Sequence, residues 1–449
     1  MNLFWKRLFG SIASTAKIEK NEAELIASMH RYAEIEKSVE LAEYKSLFHV
    51  VKSATFKENK SILKNRKYKD TEEGQDLIKL KKIEESASTK LYYELLNSEE
   101  LKAFLKFKSS ADYENLGNKN LVKDSELFQR MKSFEKSKPY KNYMRLHESF
   151  IIKEYEELKK KASTPEFKKK NEFWANDKRW ETTPEYLQER RFYELADNAD
   201  IIFYNNEKPE RFVNHEKLVV TFKEEFIGNT LGKGNWNFSF KYKSPALKSL
   251  HSFANEKQAN NAGKNISVEE GIMKISTKEE KVVASAWDIK KGFIEKEFHY
   301  TSDVMQTAES FRQKNGIFAA KIRCSGKMHH AFWLGADAKL PQVNIFHYNG
   351  KYITVGNSTP NVLDGVNISG LNSSDFYIYS LEWTEKELTW KINNFEVYRT
   401  SNKVPKEEMY LAFNSFISEK QSGTTGSLEV DWVRVYTQDT IAKKSDKKA

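Results

Sequence analysis

The chain has 449 residues, of which 39% are hydrophobic, 31% charged and 13% aromatic, too long for one compact core and too aromatic for a disordered protein, so two or three folded domains are expected. The net charge of +10 divides evenly between the two halves, with both signs alternating along each, which argues against the clustered basic face of a nucleic-acid binder. The single cysteine, Cys324, excludes an intrachain disulfide and a cysteine-rich metal site; its place in the alternating run Ala319–Cys324 reads as a buried strand position.

Residues 1–15 form a short amphipathic segment. Leu3, Phe4, Trp5, Leu8, Phe9 and Ile12 recur at helical spacing, with Lys6 and Arg7 between them. This apolar run is too short and too interrupted for a secretory signal, and nowhere do 18 apolar residues follow one another as a membrane span requires. The default expectation is therefore a cytoplasmic protein or a component of an assembly such as a phage particle. Trp and Phe beside Lys and Arg would suit a membrane surface. With only one turn of signal, a helix docked on protein is favoured over membrane-surface contact of residues 3–12.

Residues 16–210 are rich in Glu, Lys, Leu and Ala, almost without Gly, and read as successive helices. They also repeat. Counting from Tyr32, Tyr92, Tyr143 and Phe192, the third residue on is Ile35, Leu95, Leu146 and Leu195; the sixth is Ser38, Ser98, Ser149 and Asn198. The ninth is Leu41, Leu101, Ile152 and Ile201, and the twelfth is Tyr44, Phe104, Tyr155 and Tyr204. Four copies agreeing at five positions indicate an α-helical repeat array with units of about 50–60 residues. The central Ser or Asn is an N-cap type that ends one helix and begins the next, and Pro165 and Pro184 mark helix starts of the same kind. His30, His49 and His147 are scattered, and no metal-ligand spacing or phosphate loop occurs. This half is expected to act as a spacer or scaffold with a protein partner.

Beyond the polar joint Asn205–Glu210, Gly becomes frequent and the pattern shifts to period two, so residues 211–437 read as short strands separated by turns, a β-sandwich. Residues 438–449 are a polar, basic tail. Near the centre of the sandwich stands His329–Gly350. Its second half, Pro341–Tyr348, has the form of a strand in which Val343, Ile345 and Tyr348 alternate with polar Gln342, Asn344 and His347. A regular strand puts i, i+2 and i+4 on one face, so the spacing i, i+2, i+5 requires a β-bulge.

Ala331–Gly335 followed by this strand resembles the active-site hairpin of the family 16 glycoside hydrolases, laminarinase-like and agarase-like enzymes. Other segments match that family in order over roughly half the chain: Phe222–Gly228 with Trp236–Phe238, Glu270–Ser276, Gly316–Ile322, Phe376–Thr384, Leu388–Asn394 and the last strand, Leu428–Tyr436. The resemblance implies a concanavalin A-like jelly roll, so the fold class is α+β multidomain: an all-α helical repeat array followed by an all-β jelly-roll sandwich. In the family the strand reads Glu-x-Asp-x-x-Glu, giving nucleophile, charge tuner and general acid/base. Carried over, those places fall on Gln342, Asn344 and His347, and every carboxylate is replaced.

Retaining glycosidases need two carboxyl groups about 5–5.5 Å apart; an amide cannot be the nucleophile, and His347 would be a proton carrier without a partner. Asp337 is the nearest carboxylate in sequence. Gln, Asn and His do keep donors and acceptors suited to sugar hydroxyls. The expected ligand-binding set is Trp333, His329, His330, Gln342, Asn344, His347 and Tyr348, with burial in the sandwich as the alternative for Trp333, Phe332 and Tyr348. Nothing fixes His329, His330 and His347 on one face as metal ligands, so neither metal nor cofactor is expected. Three functions stay open: a catalytically inactive module binding a polysaccharide of glucan or galactan type, a glycosidase with a variant site, and a structural protein of a surface or phage assembly.

Overall fold

The computed structural model describes residues 1–232, 234–241, 251–337, 342–359, 362–422 and 424–438. Pro341, at the head of the expected strand, and the tail beyond residue 438 lie outside these residues. The chain divides into two compact units, one of Tyr32–Glu207 and one of Met1–Arg31 with Lys208–Ala449.

The first unit is helical, and the four sequence copies supply the same local step. Ser38, Ser98 and Ser149 each accept from the backbone N–H three residues on, at 3.1, 3.1 and 3.4 Å. Asn198 accepts from the N–H groups of Asp200 and Ile201. Each cap begins a helix one turn after another has ended, so a polar residue satisfies end groups that would otherwise be orphaned. Pro165 and Pro184 open the helices Pro165–Ala175 and Pro184–Ala196. The copies do not stack in chain order as a solenoid would. The first packs on the fourth, Tyr32 stacking on Tyr204 and Tyr44 on Phe192 with ring centroids 4.5 and 5.4 Å apart. The second packs on the third, Tyr92 stacking on Tyr143 at 5.4 Å. The same aromatic positions that mark the repeat thus bury one another by nesting.

The second unit is a two-sheet sandwich. Its strands are β1 (Leu218–Glu224), β2 (Ser252–Phe253), β3 (Gln258–Asn260), β4 (Ile266–Glu269), β5 (Ile272–Asp288) and β6 (Gly292–Ser302). They continue as β7 (Val304–Gln306), β8 (Gly316–Ser325), β9 (His329–Gly335), β10 (Gln342–Tyr348), β11 (Ile353–Thr359) and β12 (Val362–Ile368). The last are β13 (Tyr377–Trp383), β14 (Leu388–Ile392), β15 (Phe395–Thr400), β16 (Tyr410–Phe416) and β17 (Gly426–Gln438). One sheet runs β15-β14-β13-β8-β17-β5-β6-β3, with β1, β2 and β4 on its side pairings; the other runs β12-β11-β10-β9-β16-β7. Alternation fills the space between them: Phe318, Ala320 and Ile322 of β8 and Val433 and Val435 of β17 face Phe332 and Leu334 of β9 and Val343 of β10 in one core cluster. Cys324 is buried in β8, and burial pushes its thiol up to about 12.

The N-terminal residues belong to this unit. Leu3 and Ile12 enter the same core. Glu19, in the helix Thr15–Glu36, accepts from Lys321 at 2.9 Å and from the Trp432 indole at 3.1 Å.

The expected bulge is in β10. Against β9, Asn344 pairs with Trp333 and Phe346 with Phe332, leaving Ile345 as the extra residue; against β11 the register also slips by one between Asn344 and His347. Val343, Ile345 and Phe346 all lie in the core, with Tyr348 packed against it. From the opposite sheet, the fully buried Trp390 donates its indole N–H to the Asn344 carbonyl at 2.8 Å. Replacing Trp390 with Phe keeps most of the volume but leaves that carbonyl without its donor. The substitution should lower the stability of the sandwich by about 1–3 kcal/mol, read as a shift in its urea midpoint at unchanged slope; an unshifted midpoint would show that the bond contributes nothing.

Candidate functional site

The bulge leaves Gln342, Asn344 and His347 on the face of β10 turned away from the core. On the neighbouring strands the same face carries His329, Ala331 and Trp333 of β9, in register with Phe416, Asn414 and Ala412 of β16. Above them runs a cleft of about 240 Å³, lined from the sheet by Ala331, Trp333, Gln342, His347, Asn414 and Phe416. Its wall is Phe240, Phe253, Asn255 and Glu256.

The polar groups on this face are bonded to each other. Gln342 Nε2 donates to Asn344 Oδ1 at 2.8 Å. The His347 Nε2 and His329 Nδ1 atoms lie 2.9 Å apart and share one proton, donor and acceptor being set by tautomer. His329 also stacks on Phe416, centroids 4.4 Å apart and rings nearly parallel. Trp333 donates its indole N–H to Asn414 Oδ1 at 3.0 Å and packs with Phe240, Val304 and Tyr410. At 5% exposure it is the floor of the cleft, with little free ring face.

Two of the expected residues lie on the opposite side of the sheet. His330 follows His329 in a regular strand, so it must point the other way. It is fully buried, 2.8 Å from Ser415 Oγ and 2.9 Å from the Ser325 carbonyl. Tyr348 pairs with His330 and shares its core-facing side. The three histidines therefore do not converge. Asp337 is not among the residues that line the cleft: more than half exposed, it receives the Arg312 guanidinium at 2.7 Å.

Among the described residues, the carboxylate that does line the cleft is Glu256. It accepts from Gln258 Nε2 at 2.6 Å, while the Gln258 amide oxygen accepts from the Ile417 N–H at 2.7 Å. Lys296 Nζ donates to the carbonyls of Ala254 and Glu256 at 2.6 and 2.9 Å. The segment between β2 and β3 is thus clamped across the β5–β6 hairpin, and Glu256 is held at the wall. No periodicity singles out Asn255-Glu256-Lys257-Gln258, and its approach to β10 depends on sheet pairing far apart in sequence. Phe253, Asn414 and Phe416 carry no signal beyond their place in strands.

Electrostatically the sheet side of the cleft is neutral. Burial lowers His329 and His347 to about 4, with mutual repulsion adding to the effect on His347. His330 is also lowered to about 4 by burial. At neutral pH these rings hold no charge, so His347 is a weak base without the imidazolium proton that a general acid would give. Among the described residues, no three His, Cys, Asp or Glu groups come together as a metal site.

Residues 253–434 match the family described as Glycosyl hydrolases family 16, and the C-terminal domain is a family 16-like jelly roll. Among solved structures, the catalytic domain of an endo-1,3-β-glucanase from Thermotoga petrophila is 19% identical, covering 49% of this chain and 98% of its own at a TM-score of 0.40. A laminarinase from Flavobacterium sp. UMI-01 is 20% identical, covering 49% and 100% at 0.40. The κ-carrageenase of Pseudoalteromonas carrageenovora is 17% identical, covering 49% and 95% at 0.39. No curated protein matches the chain.

The lowered histidines set a pH dependence. In the unfolded chain they titrate near 6.5, in the fold near 4. Between those values only the unfolded state binds the protons, so this contribution is complete above about pH 6.5 and is lost progressively as pH falls toward 4. The thermal midpoint should drop across that window. It should drop less steeply in the double variant His329→Gln/His347→Gln; equal slopes would show that the pair is not the source.

Proposed function

We propose that the C-terminal domain is a carbohydrate-binding module that holds a polysaccharide chain of glucan or galactan type without cleaving it. The observation that carries this reading is the state of the three positions corresponding to the family's carboxylates: Gln342 is bonded to Asn344 and His347 to a second neutral histidine. The two usual routes of glycoside hydrolysis use a pair of carboxyl groups, about 5–5.5 Å apart when configuration is retained and about 6.5–9.5 Å when it is inverted. The only carboxylate among the described residues lining the cleft is Glu256. Amide and imidazole groups beside Phe253 and Phe416 suit hydroxyls and the apolar faces of sugar rings. The cleft lies below the ~300–1,000 Å³ of a typical small-molecule pocket, which favours a short stretch of a polymer over an engulfed ligand.

Glu256 and His347 in one cleft support a second reading, hydrolysis with Glu256 as the sole carboxylate and a water as nucleophile. One experiment separates the two. In affinity electrophoresis through laminarin-type β-glucan and through agarose, migration should be retarded with no new reducing ends after long incubation. Phe416→Ala should weaken retardation about tenfold. Reducing ends that disappear in Glu256→Gln would establish the hydrolase instead. Unretarded migration across a broad glycan panel would remove both readings and leave the sandwich as a structural scaffold.

A further inference from the structure

The short helix Phe4–Leu8 is oriented the reverse of an ordinary surface helix. Its cations, though exposed, reach back to the sandwich: Arg7 Nη2 lies 3.0 Å from Asp375 Oδ2 with the guanidinium over the Tyr377 ring, and Lys6 sits over the Phe395 ring. Its apolar side chains face outward, Phe4, Trp5, Leu8 and Phe9 being 51, 58, 62 and 76% exposed. The rings touch one another, Phe4 edge-on to Trp5 at 5.2 Å and Trp5 stacked on Phe9 at 5.8 Å. Leu3 and Ile12, on either side, are buried in the sandwich core. The Leu3 N–H also donates to the Ser369 carbonyl at 2.9 Å. Apolar burial alone would turn this helix over; anchors at both ends hold the aromatic face out.

We propose that this patch inserts into the interfacial layer of a membrane containing anionic lipid. Three aromatic side chains and a leucine at these exposures present roughly 450 Å² of apolar surface. That is within the ~300–600 Å² of the largest patch on a typical monomer and about half of the ~800 Å² per partner of a stable protein interface, so a second copy docking through it would be short of area. Shallow insertion has no such threshold, since each ring contributes as it leaves water. Indole and phenyl groups favour the headgroup boundary. Lys6 is exposed beside the patch, and its charge favours an anionic surface. The contact is peripheral, because among the described residues no helix is long and apolar enough to cross a membrane. Residues 3–12 dock on their own protein, as expected, through Leu3, Ile12 and the basic side; the proposal concerns the aromatic side that this docking leaves exposed.

The full-length chain should sediment with vesicles of phosphatidylcholine and phosphatidylserine and only weakly with phosphatidylcholine alone. The double variant Trp5→Ala/Phe9→Ala should lose at least ten-fold in affinity at an unchanged thermal midpoint, since these exposed rings lie outside the core. Wild-type protein left in the supernatant with both vesicle types would overturn the proposal. So would equal binding by the variant, which would reduce the contact to charge alone. A lipid-free dimer abolished by the double variant would assign the patch to a second copy and overturn it as well.

Discussion

The site depends on one extra residue in β10. Without the bulge at Ile345, the residue after Phe346 would face the core, and Gln342, Asn344 and His347 could not share a surface. The bulge is held on both sides of the strand. Ile345 and Phe346 fill the core between the sheets, and Trp390 reaches across to the Asn344 carbonyl. A packing constraint and a single buried hydrogen bond thus fix the direction of the three β10 side chains on the cleft floor.

On that frame the polar side chains of the floor bond to one another. Two carboxylates a few ångströms apart in a part-buried site repel each other, and one must be driven to hold a proton. Here an amide pair and an imidazole pair line the floor, and each pair satisfies part of its own hydrogen-bonding capacity. Burial keeps both histidines uncharged at neutral pH. The floor is therefore electrostatically quiet, and among the described residues lining the cleft the carboxylate is that of Glu256, at the wall.

Much of this was legible in the residues, and what was not has definite causes. The i, i+2, i+5 spacing of Val343, Ile345 and Tyr348 announced the bulge because a two-residue period leaves no other way to bury all three. The Ser and Asn caps of the helical unit were legible because capping is local chemistry. The nesting of first copy on fourth was not, since nothing in a repeat states which copy it meets. His330 and Tyr348 were placed among ligand-binding residues because they are neighbours of His329 and His347 in sequence. The alternation that governs strands puts such neighbours on opposite faces, and it should have outweighed proximity. Glu256 and Phe416 escaped notice because strands far apart in sequence deliver them to the cleft. At the N-terminus the mixture of rings and cations was plain, but which face docks is decided by the pockets that receive Leu3 and Ile12.

The internal bonding of the floor also constrains how any ligand is held. A hydroxyl that approaches Gln342 or His347 must share or displace a bond already made, so the exchange returns only the small difference between two similar hydrogen bonds. Net attraction on the proposed reading has to come from elsewhere. Ring faces at Phe253 and Phe416 gain from shedding water, and the Glu256 carboxylate makes charge-assisted bonds stronger than neutral ones. Neither source is large within 240 Å³. A single sugar would therefore be held weakly, whereas a polymer presents the same faces repeatedly along its length and returns to the cleft before it diffuses away. The geometry of a shallow, self-satisfied cleft is thus better matched to retaining a long chain than to capturing a free sugar.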